Sequence, residues 1–242
     1  MKAEALSGRS ALVTGGARRI GRGIALALAR AGADVAITYR CSAAEAAETA
    51  RAIESLGRRA LAVECDVRSE ESVRGAVSGV ASSFGRLDIV VNNAAVFETA
   101  ALDTLRIEQW DTVFETNTRG PFLVAREALP HLRASRGRIV NMGSLGGEQA
   151  WAGHAHYCAS KAALHSLTEA MAKAFAPEVS VNCVAPGWIE LEGAEGAAQF
   201  AAKTPMGRNG SVEDVAEAVL FFAAGPHFVT GQRLVVDGGL GL

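Results

Sequence analysis

Short apolar runs and longer amphipathic segments alternate along the whole chain, and this alternation narrows the possible folds more than any other feature. Ala11-Leu12-Val13 is followed by Ile20 to Ala31, Val35-Ala36-Ile37 by Ala43 to Leu56, and Ala60 to Val63 by Val73 to Phe84. Leu87 to Val91, Val113 to Leu132, Arg138 to Asn141, His156 to Phe175, Val179 to Val184, Val212 to Ala223 and Arg233 to Val236 continue the pattern. Strand-helix-strand repetition predicts a parallel sheet with helices on both faces, because each crossover helix must pack back onto the sheet. The strands are almost unbroken apolar runs, as burial on both faces requires. The expected fold is therefore α/β: a Rossmann-like, doubly wound parallel sheet in a three-layer α/β/α arrangement. Neither a linker nor a repeat divides residues 1–242, which are read as a single domain. One stretch at about 188–204, rich in Ala, Gly and Glu, fits no strand and is expected to be a short lid.

Composition removes several classes of function. The formal net charge is −2, and basic residues occur at most in pairs such as Arg18-Arg19. A nucleic-acid footprint is missing, and an anionic membrane is not an expected partner. The four cysteines, Cys41, Cys65, Cys158 and Cys183, form no Cys-x-x-Cys pair and stand beside no His at ligand spacing. They are read as reduced core thiols, with no metal site expected. Met1 to Ser10 has no apolar stretch resembling a signal sequence, so a cytoplasmic location is expected.

Thr14-Gly15-Gly16-Ala17-Arg18-Arg19-Ile20-Gly21 follows the first strand and leads directly into an apolar helix. Glycines there let the backbone approach a pyrophosphate, and the helix start directs unpaired N–H groups at it. The same glycines would also serve a tight turn with no ligand. An acidic residue about 20 positions on would mark the ribose of NAD, and Asp34 has that spacing, but it precedes its strand. Ligands gather at the carboxyl ends of parallel strands, where Tyr39, Arg40 and Ser42 stand instead. A guanidinium at Arg40 suits the 2′-phosphate of NADP(H) through charge-assisted hydrogen bonds.

Tyr157 and Lys161 lie one turn apart on one face of a helical segment. A phenol titrates near pH 10, too high to exchange protons readily near neutrality. A neighbouring ammonium is expected to favour the phenolate and lower that value. Taken alone, the pair is one that any helix can carry.

In company it is more specific. Thr14-Gly15 through Gly21, Asn92-Asn93-Ala94-Ala95, Ser144 thirteen residues before Tyr157, Tyr-x-x-x-Lys and Pro186-Gly187 stand in the order and spacing of the short-chain dehydrogenase/reductases. Asp66-Val67, Asn117, Thr230-Gly231 and Asp237-Gly238-Gly239 match as well, so the chain resembles that family over essentially its whole length. The resemblance implies an NADP-dependent oxidoreductase that moves hydride to or from a carbonyl or alcohol carbon of a small substrate. Tyr157 would be the general acid or base, with Lys161 lowering its pKa and holding the nicotinamide ribose. Ser144 would hydrogen-bond the substrate oxygen, and Asn117 would hold a water that links Lys161 to solvent. Gly15, Arg18, Arg19, Ile20, Gly21, Arg40 and Ser42 would bind the phosphate end. Asp66 and Val67 would flank the adenine, Asn93 and Ala94 would line the cleft, and Pro186, Gly187 and Ile189 would position the nicotinamide.

Departures from the family pattern narrow the choice. Arg19 replaces the middle glycine of the phosphate turn, as in pteridine reductase-like members, which also tend to carry an aromatic at the place of Phe97. Those enzymes typically have Asp where this chain has Ser144, which places it nearer the general carbonyl-reducing branch. Leu191 replaces a Thr and removes one expected carboxamide contact. β-Ketoacyl carrier-protein reductases are a further resemblance, their basic docking patch partly echoed by Arg133, Arg136 and Lys173, although Glu190, Glu192 and Glu195 make the lid acidic. Phe97, Trp151 and Trp188 are candidates to line an apolar substrate pocket. A non-catalytic NADP(H)-sensing regulator would be of a different class, but such proteins usually lose the Tyr or the Lys. Family members usually pair their two long helices, so a homotetramer is expected.

Overall fold

The computed structural model describes residues 4–191 and 197–242. Seven parallel strands lie in the order β3-β2-β1-β4-β5-β6-β7, with ranges Ser10–Val13, Asp34–Tyr39, Ala60–Glu64, Ile89–Asn92, Arg138–Met142, Ser180–Pro186 and Arg233–Val236 for β1 to β7. Chain order reverses between β1 and β4, and the crevice beyond their carboxyl ends is the topological switch point where such sheets take ligands. Helices cover both faces: α1 (Arg19–Arg30), α2 (Ala43–Glu54), α3 (Glu70–Phe84), α4 (Ile107–Phe114), α5 (Gly120–Ser135), α6 (Ala155–Phe175), α7 (Ala197–Lys203) and α8 (Val212–Ala224).

Alternation along each strand feeds two cores. Val13, Val35 and Ile37 face Ile24, Leu28 and Val219 of α1 and α8. Leu12, Ala36 and Val90 face Val77, Val80 and Leu132 of α3 and α5 on the other side. Helix ends follow local chemistry. Ser69 caps α3 by accepting from the Ser72 amide, Gly85 ends it in the left-handed region at φ 77°, and Ser211 and Asp214 form a reciprocal box at the start of α8.

Two expectations need correction, the single helix over Val113 to Leu132 and the core placement of all four cysteines. The segment Val113 to Leu132 is not one helix: α4 gives way to a five-residue π-helical turn, Glu115–Arg119, before α5 begins with Pro121 in its first turn. Such widened turns admit an extra residue into the helical ladder and occur frequently at functional sites. The stretch at 188–204 contains a short helix, α7; its residues 192–196, with Glu192 and Glu195, lie outside the described residues. Cys41 is exposed rather than in the core, whereas Cys65, Cys158 and Cys183 are buried. No helix among the described residues is long and apolar enough to cross a membrane.

Candidate active site

At the switch point a cleft of about 390 Å³ opens between the glycine turn, the end of β2 and the end of β4. Gly15, Arg18, Arg19, Ile20, Gly21, Arg40, Ser42, Asp66, Val67, Asn93 and Ala94 all line it, bringing the phosphate and adenine candidates together. Its floor is backbone held at close quarters. A Cβ on Gly15 would lie 3.0 Å from the Ala94 Cα, and one on Gly16 would lie 2.6 Å from the Ile37 side chain. A Cβ on Gly21 would collide with the Gly15 carbonyl and the Asn93 amide. The turn is therefore closed to any side chain at those positions, which exposes the first amides of α1, a helix with no acidic residue in its first turn.

Three residues tie this cradle to the sheet. Asn93 Nδ2 donates to the carbonyls of Thr14 (2.9 Å) and Gly15 (3.0 Å). The Thr14 hydroxyl accepts from the amides of Asn93 and Ala94, both at 3.0 Å. The Gly15 amide donates to Thr38 Oγ1 at 3.2 Å. Thr14 is legible in the sequence as the first residue of the glycine motif and Thr38 is not, and the part both hydroxyls play in the turn is visible only in space.

Charge collects at the rim. Arg18, Arg19 and Arg40 are exposed around the cleft, and the Arg40 guanidinium helps hold the Asp66 carboxyl below its ordinary range, although the larger cause is its hydrogen bonding with Arg68. Arg68 grips Asp66 through both Nε and Nη2, the latter at 2.7 Å, so Asp66 enters the cleft as one half of an ion pair. Asp34 stands at the opposite end of β2 and pairs with Arg59 at 2.7 Å, well away from the ribose position. Arg19 has φ +52°, a left-handed conformation that glycine adopts freely and arginine does not.

The catalytic candidates stand beside this cleft. Val96 lines it, and the next residue, Phe97, packs edge-on against the Tyr157 ring at 4.8 Å. Burial raises the Tyr157 phenol above its ordinary pKa, a hydrogen bond with the Ser144 side chain opposes the rise, and the neighbouring Cys158 adds to it. The expected lowering by Lys161 is not what this geometry produces. The Lys161 ammonium lies 5.8 Å from the Tyr157 ring centroid and donates to the Met142 carbonyl at 2.7 Å. Full burial pulls it down to about 8. A neutral phenol is a competent proton donor at neutral pH, and a lysine close to its titration point can release or take up a proton there.

Asn117 sits in the π-helical turn. Its side chain closes a reciprocal pair with Val96, donating to the carbonyl at 2.9 Å and accepting from the amide at 2.8 Å, and it donates to Ser160 Oγ at 3.1 Å. Both amide hydrogens are thereby engaged, so the side chain ties the cleft rim to α6. Pro186 ends β6, and Gly187 follows with its amide donating to the Val236 carbonyl at 2.9 Å; a Cβ there would meet the Asp237 side chain at 2.5 Å. Ile189 is a buried member of the first core, and Leu191 lines the cofactor cleft.

Around Tyr157 the walls are aromatic. Trp151 lies nearly parallel to the Tyr157 ring at 6.4 Å, and His154 packs edge-on to Phe97 at 4.5 Å. Phe97 remains 57% exposed, an apolar surface turned outward beside Tyr157. Trp188 stacks on Phe200 of α7 at 3.9 Å. His154 and Phe200 were not anticipated as wall residues; only their aromatic character and their place near Tyr157 and Trp188 point to them.

Residues 15–241 match a family model described as enoyl-(acyl carrier protein) reductase. The chain belongs to the short-chain dehydrogenase/reductase family. Among solved members, a short-chain dehydrogenase from Burkholderia cenocepacia, crystallised in complex with NADP, is 40% identical with a TM-score of 0.93, and the match covers 98% of this chain and 100% of that one. A blue fluorescent protein from a metagenomic library, in complex with NADPH, is 35% identical with a TM-score of 0.90 over 98% of this chain and 99% of its own. The 3-oxoacyl-(acyl-carrier-protein) reductase of Staphylococcus aureus is 35% identical over 240 residues, 96% of this chain and 98% of that protein.

Proposed function

We propose that this short-chain dehydrogenase/reductase uses NADP(H) to reduce a carbonyl carbon of a small apolar substrate, with Tyr157 as the proton donor. The observation that carries the proposal is the half-buried Tyr157 phenol, hydrogen-bonded with Ser144 and standing one helical turn from a buried lysine beside a glycine-floored cleft. The cleft fits the cofactor. Its floor excludes side chains where a pyrophosphate must approach, and Arg18, Arg19 and Arg40 supply cations at the rim for a 2′-phosphate. Nicotinamide, when bound, supplies the hydride.

The rest of the chemistry falls to the protein's own groups. Tyr157 donates the phenolic proton to the carbonyl oxygen as charge develops there. The Ser144 hydroxyl, held by the Gly146 amide at 3.0 Å, orients that oxygen and stabilises the developing charge. Lys161, one turn along the same helix face and buried, would hold the ribose and reprotonate the phenol. Pro186 and Gly187 turn the chain at the end of β6 to back the nicotinamide. Phe97, Trp151 and His154 favour a flat apolar substrate next to the acid. Replacing Tyr157 by Phe is expected to leave NADPH binding intact and to lower turnover by about 10²-fold or more. Near wild-type turnover on a confirmed carbonyl substrate would overturn the assignment.

A second reading, reduction of a β-ketoacyl group presented by a carrier protein, is favoured by the name of the Staphylococcus relative. Arg133 and Lys173 in the last turns of α5 and α6, with Arg136 at the α5 terminus, would meet the acidic carrier. Assembly into a homotetramer is part of the same proposal. β7 leaves its outer edge unpaired with Leu234 and Val235 exposed at 38% and 39%, and Phe122 is exposed on α5. Sedimentation that finds only a 25.1 kDa species at micromolar concentration would refute the assembly.

A further inference from the structure

Tyr157, Lys161 and His165 occupy successive turns of one face of α6, and the third of them is as buried as the second. The loop that carries Ser144 wraps around the His165 ring. A Cβ on Gly147 would lie 2.9 Å from its Nδ1, and one on Gly143 would run into its Nε2 and lie 2.6 Å from the Cys183 sulfur. Glycine is thus required on both sides of the imidazole, and Ser144 is the residue that follows the first of these glycines.

The ring's two nitrogens face different partners. Nε2 accepts from the Ser144 backbone N–H at 3.4 Å, and Nδ1 faces Glu148 Oε1 at 3.6 Å. Glu148 is in turn bound by Arg233 of β7, which also approaches Glu169 at 3.9 Å. An acceptor at Nε2 fixes the tautomer: the proton sits on Nδ1, toward the carboxylate. Lys161 and His165 together hold the peptide groups on either side of Gly143, through the Met142 carbonyl and the Ser144 amide.

We infer that His165 is a positioning residue for the catalytic serine: as a neutral Nδ1–H imidazole, backed by the Glu148–Arg233 pair, it holds the Ser144 backbone so that the hydroxyl meets Tyr157. The inference rests on the proposed roles of Ser144 and Tyr157. The Glu148 carboxylate alone would favour a charged ring, and burial with two neighbouring cations outweighs it. Burial, Arg233 from β7 and Lys161 from the preceding turn pull His165 down to about 4. Cys183 of β6, pushed up to about 11 by burial, stays a neutral thiol, and Glu148 is the carboxylate the ring faces.

The positioning can be read without a substrate, because the chain has only two tyrosines, Tyr39 and Tyr157. The ¹³Cζ signal of Tyr157 at pH 8, assigned with Tyr157→Phe, reports its hydrogen bond with Ser144. His165→Leu is expected to move this signal toward its place in Ser144→Ala. His165→Gln, which can still accept near the Nε2 position, is expected to return it. ¹⁵N-histidine spectra should show His165 neutral and protonated on Nδ1 at pH 6. With ethyl acetoacetate as probe, kcat for NADPH oxidation should fall on the order of tenfold in His165→Leu, with KM for NADPH held within about twofold and recovery in His165→Gln. Should His165→Leu fail to fold, Glu148→Leu removes the acceptor for Nδ1–H and is expected to shift the Tyr157 signal the same way by less. An imidazolium at pH 6, an Nε2–H tautomer, or a Tyr157 signal unmoved by both substitutions would overturn the inference. If the wild type reduces no carbonyl at all, the functional reading fails and the spectra still decide the positioning.

Discussion

The two flanks of the sheet are built differently. On the β1–β2 flank the strand interiors are aliphatic apart from Ser10 and Thr38, with Leu12, Val13, Ala36 and Ile37 fully enclosed, and the functional surface beyond them is backbone and exposed arginines. On the β4–β6 flank each strand buries an asparagine. Asn92 donates to Asn141 at 2.8 Å, Asn141 donates to Thr168 of α6 at 2.9 Å, and Asn182 holds the chain on either side of Thr230 through the Val229 carbonyl and the Gln232 amide. A buried amide costs free energy unless its partners are in place, so this flank fixes α6 against β5 more specifically than aliphatic packing would. Binding of a cofactor needs only a cradle and compensating charge. The proton transfer proposed for Tyr157 would need Lys161 and Ser144 held in register with it, and the polar side chains are concentrated where that register is set.

The sharpest test of the contrast is electrostatic, on the β4–β6 flank. Lys161 titrates at about 8 in the folded protein and near 10.5 when unfolded. Below pH 8 both states hold the proton and the full cost of burying the ammonium is present. Between about 8 and 10.5 the folded state has lost the proton while the unfolded chain keeps it, so stability rises with pH across that window and levels off above it. Urea denaturation of wild type and Lys161→Met should therefore diverge, the wild type gaining up to ~3 kcal/mol on the variant as pH climbs through this window. The slope is independent of the lost hydrogen bond to Met142, which offsets both ends equally. Parallel pH profiles would mean that the ammonium is not desolvated as the fold implies.

A smaller effect is expected on the other flank, and it should appear in binding rather than in stability. Arg40→Asp places a carboxylate where the 2′-phosphate would lie. NADPH affinity should fall by about tenfold or more, because one charge-assisted contact becomes a repulsion. NADH should lose much less, and the melting temperature should hardly change, since Arg40 is exposed. An unchanged ratio of the two affinities by fluorescence titration would show that the end of β2 does not choose the cofactor.

The same contrast decides what could be read from the sequence. The cradle is made by close approach of backbone, which leaves a linear trace in the spacing of Gly15, Gly16 and Gly21, and the strand order follows from the βα alternation. Tyr157 and Lys161 are legible because one helix carries both. The contact of His165 with Ser144, the ladder from Asn92 through Asn141 to Thr168, and the engagement of Asn117 with Val96 each join residues on separate elements. Nothing in their spacing announces them. The π-helical turn between α4 and α5 escapes for a related reason: Val113 to Leu132 keeps a helical apolar rhythm through the extra residue, and only the path of the backbone shows the break.

Arg19 offers the finest test, because there the cofactor flank departs from its own economy. At φ +52° a non-glycine residue carries strain on the order of 1 to 3 kcal/mol. Glycine would relieve that strain but would also give the unfolded chain more freedom, which returns roughly 0.5 to 1 kcal/mol of the gain. Arg19→Gly is therefore expected to raise unfolding free energy by about 1 kcal/mol in urea, a net gain made wholly of local backbone geometry. Arg19 is exposed at the mouth of the cleft, so its guanidinium makes no buried contact that would be missed. If the strained turn is kept because it aims a cation at the phosphates, the same variant must bind NADPH several-fold more weakly, with the loss shrinking as salt rises. Higher stability with weaker, salt-sensitive binding would show that strain and charge are exchanged at this one residue. Higher stability with unchanged affinity would leave Arg19 as strain without a ligand, and the phosphate would then rest on the α1 amides, Arg18 and Arg40.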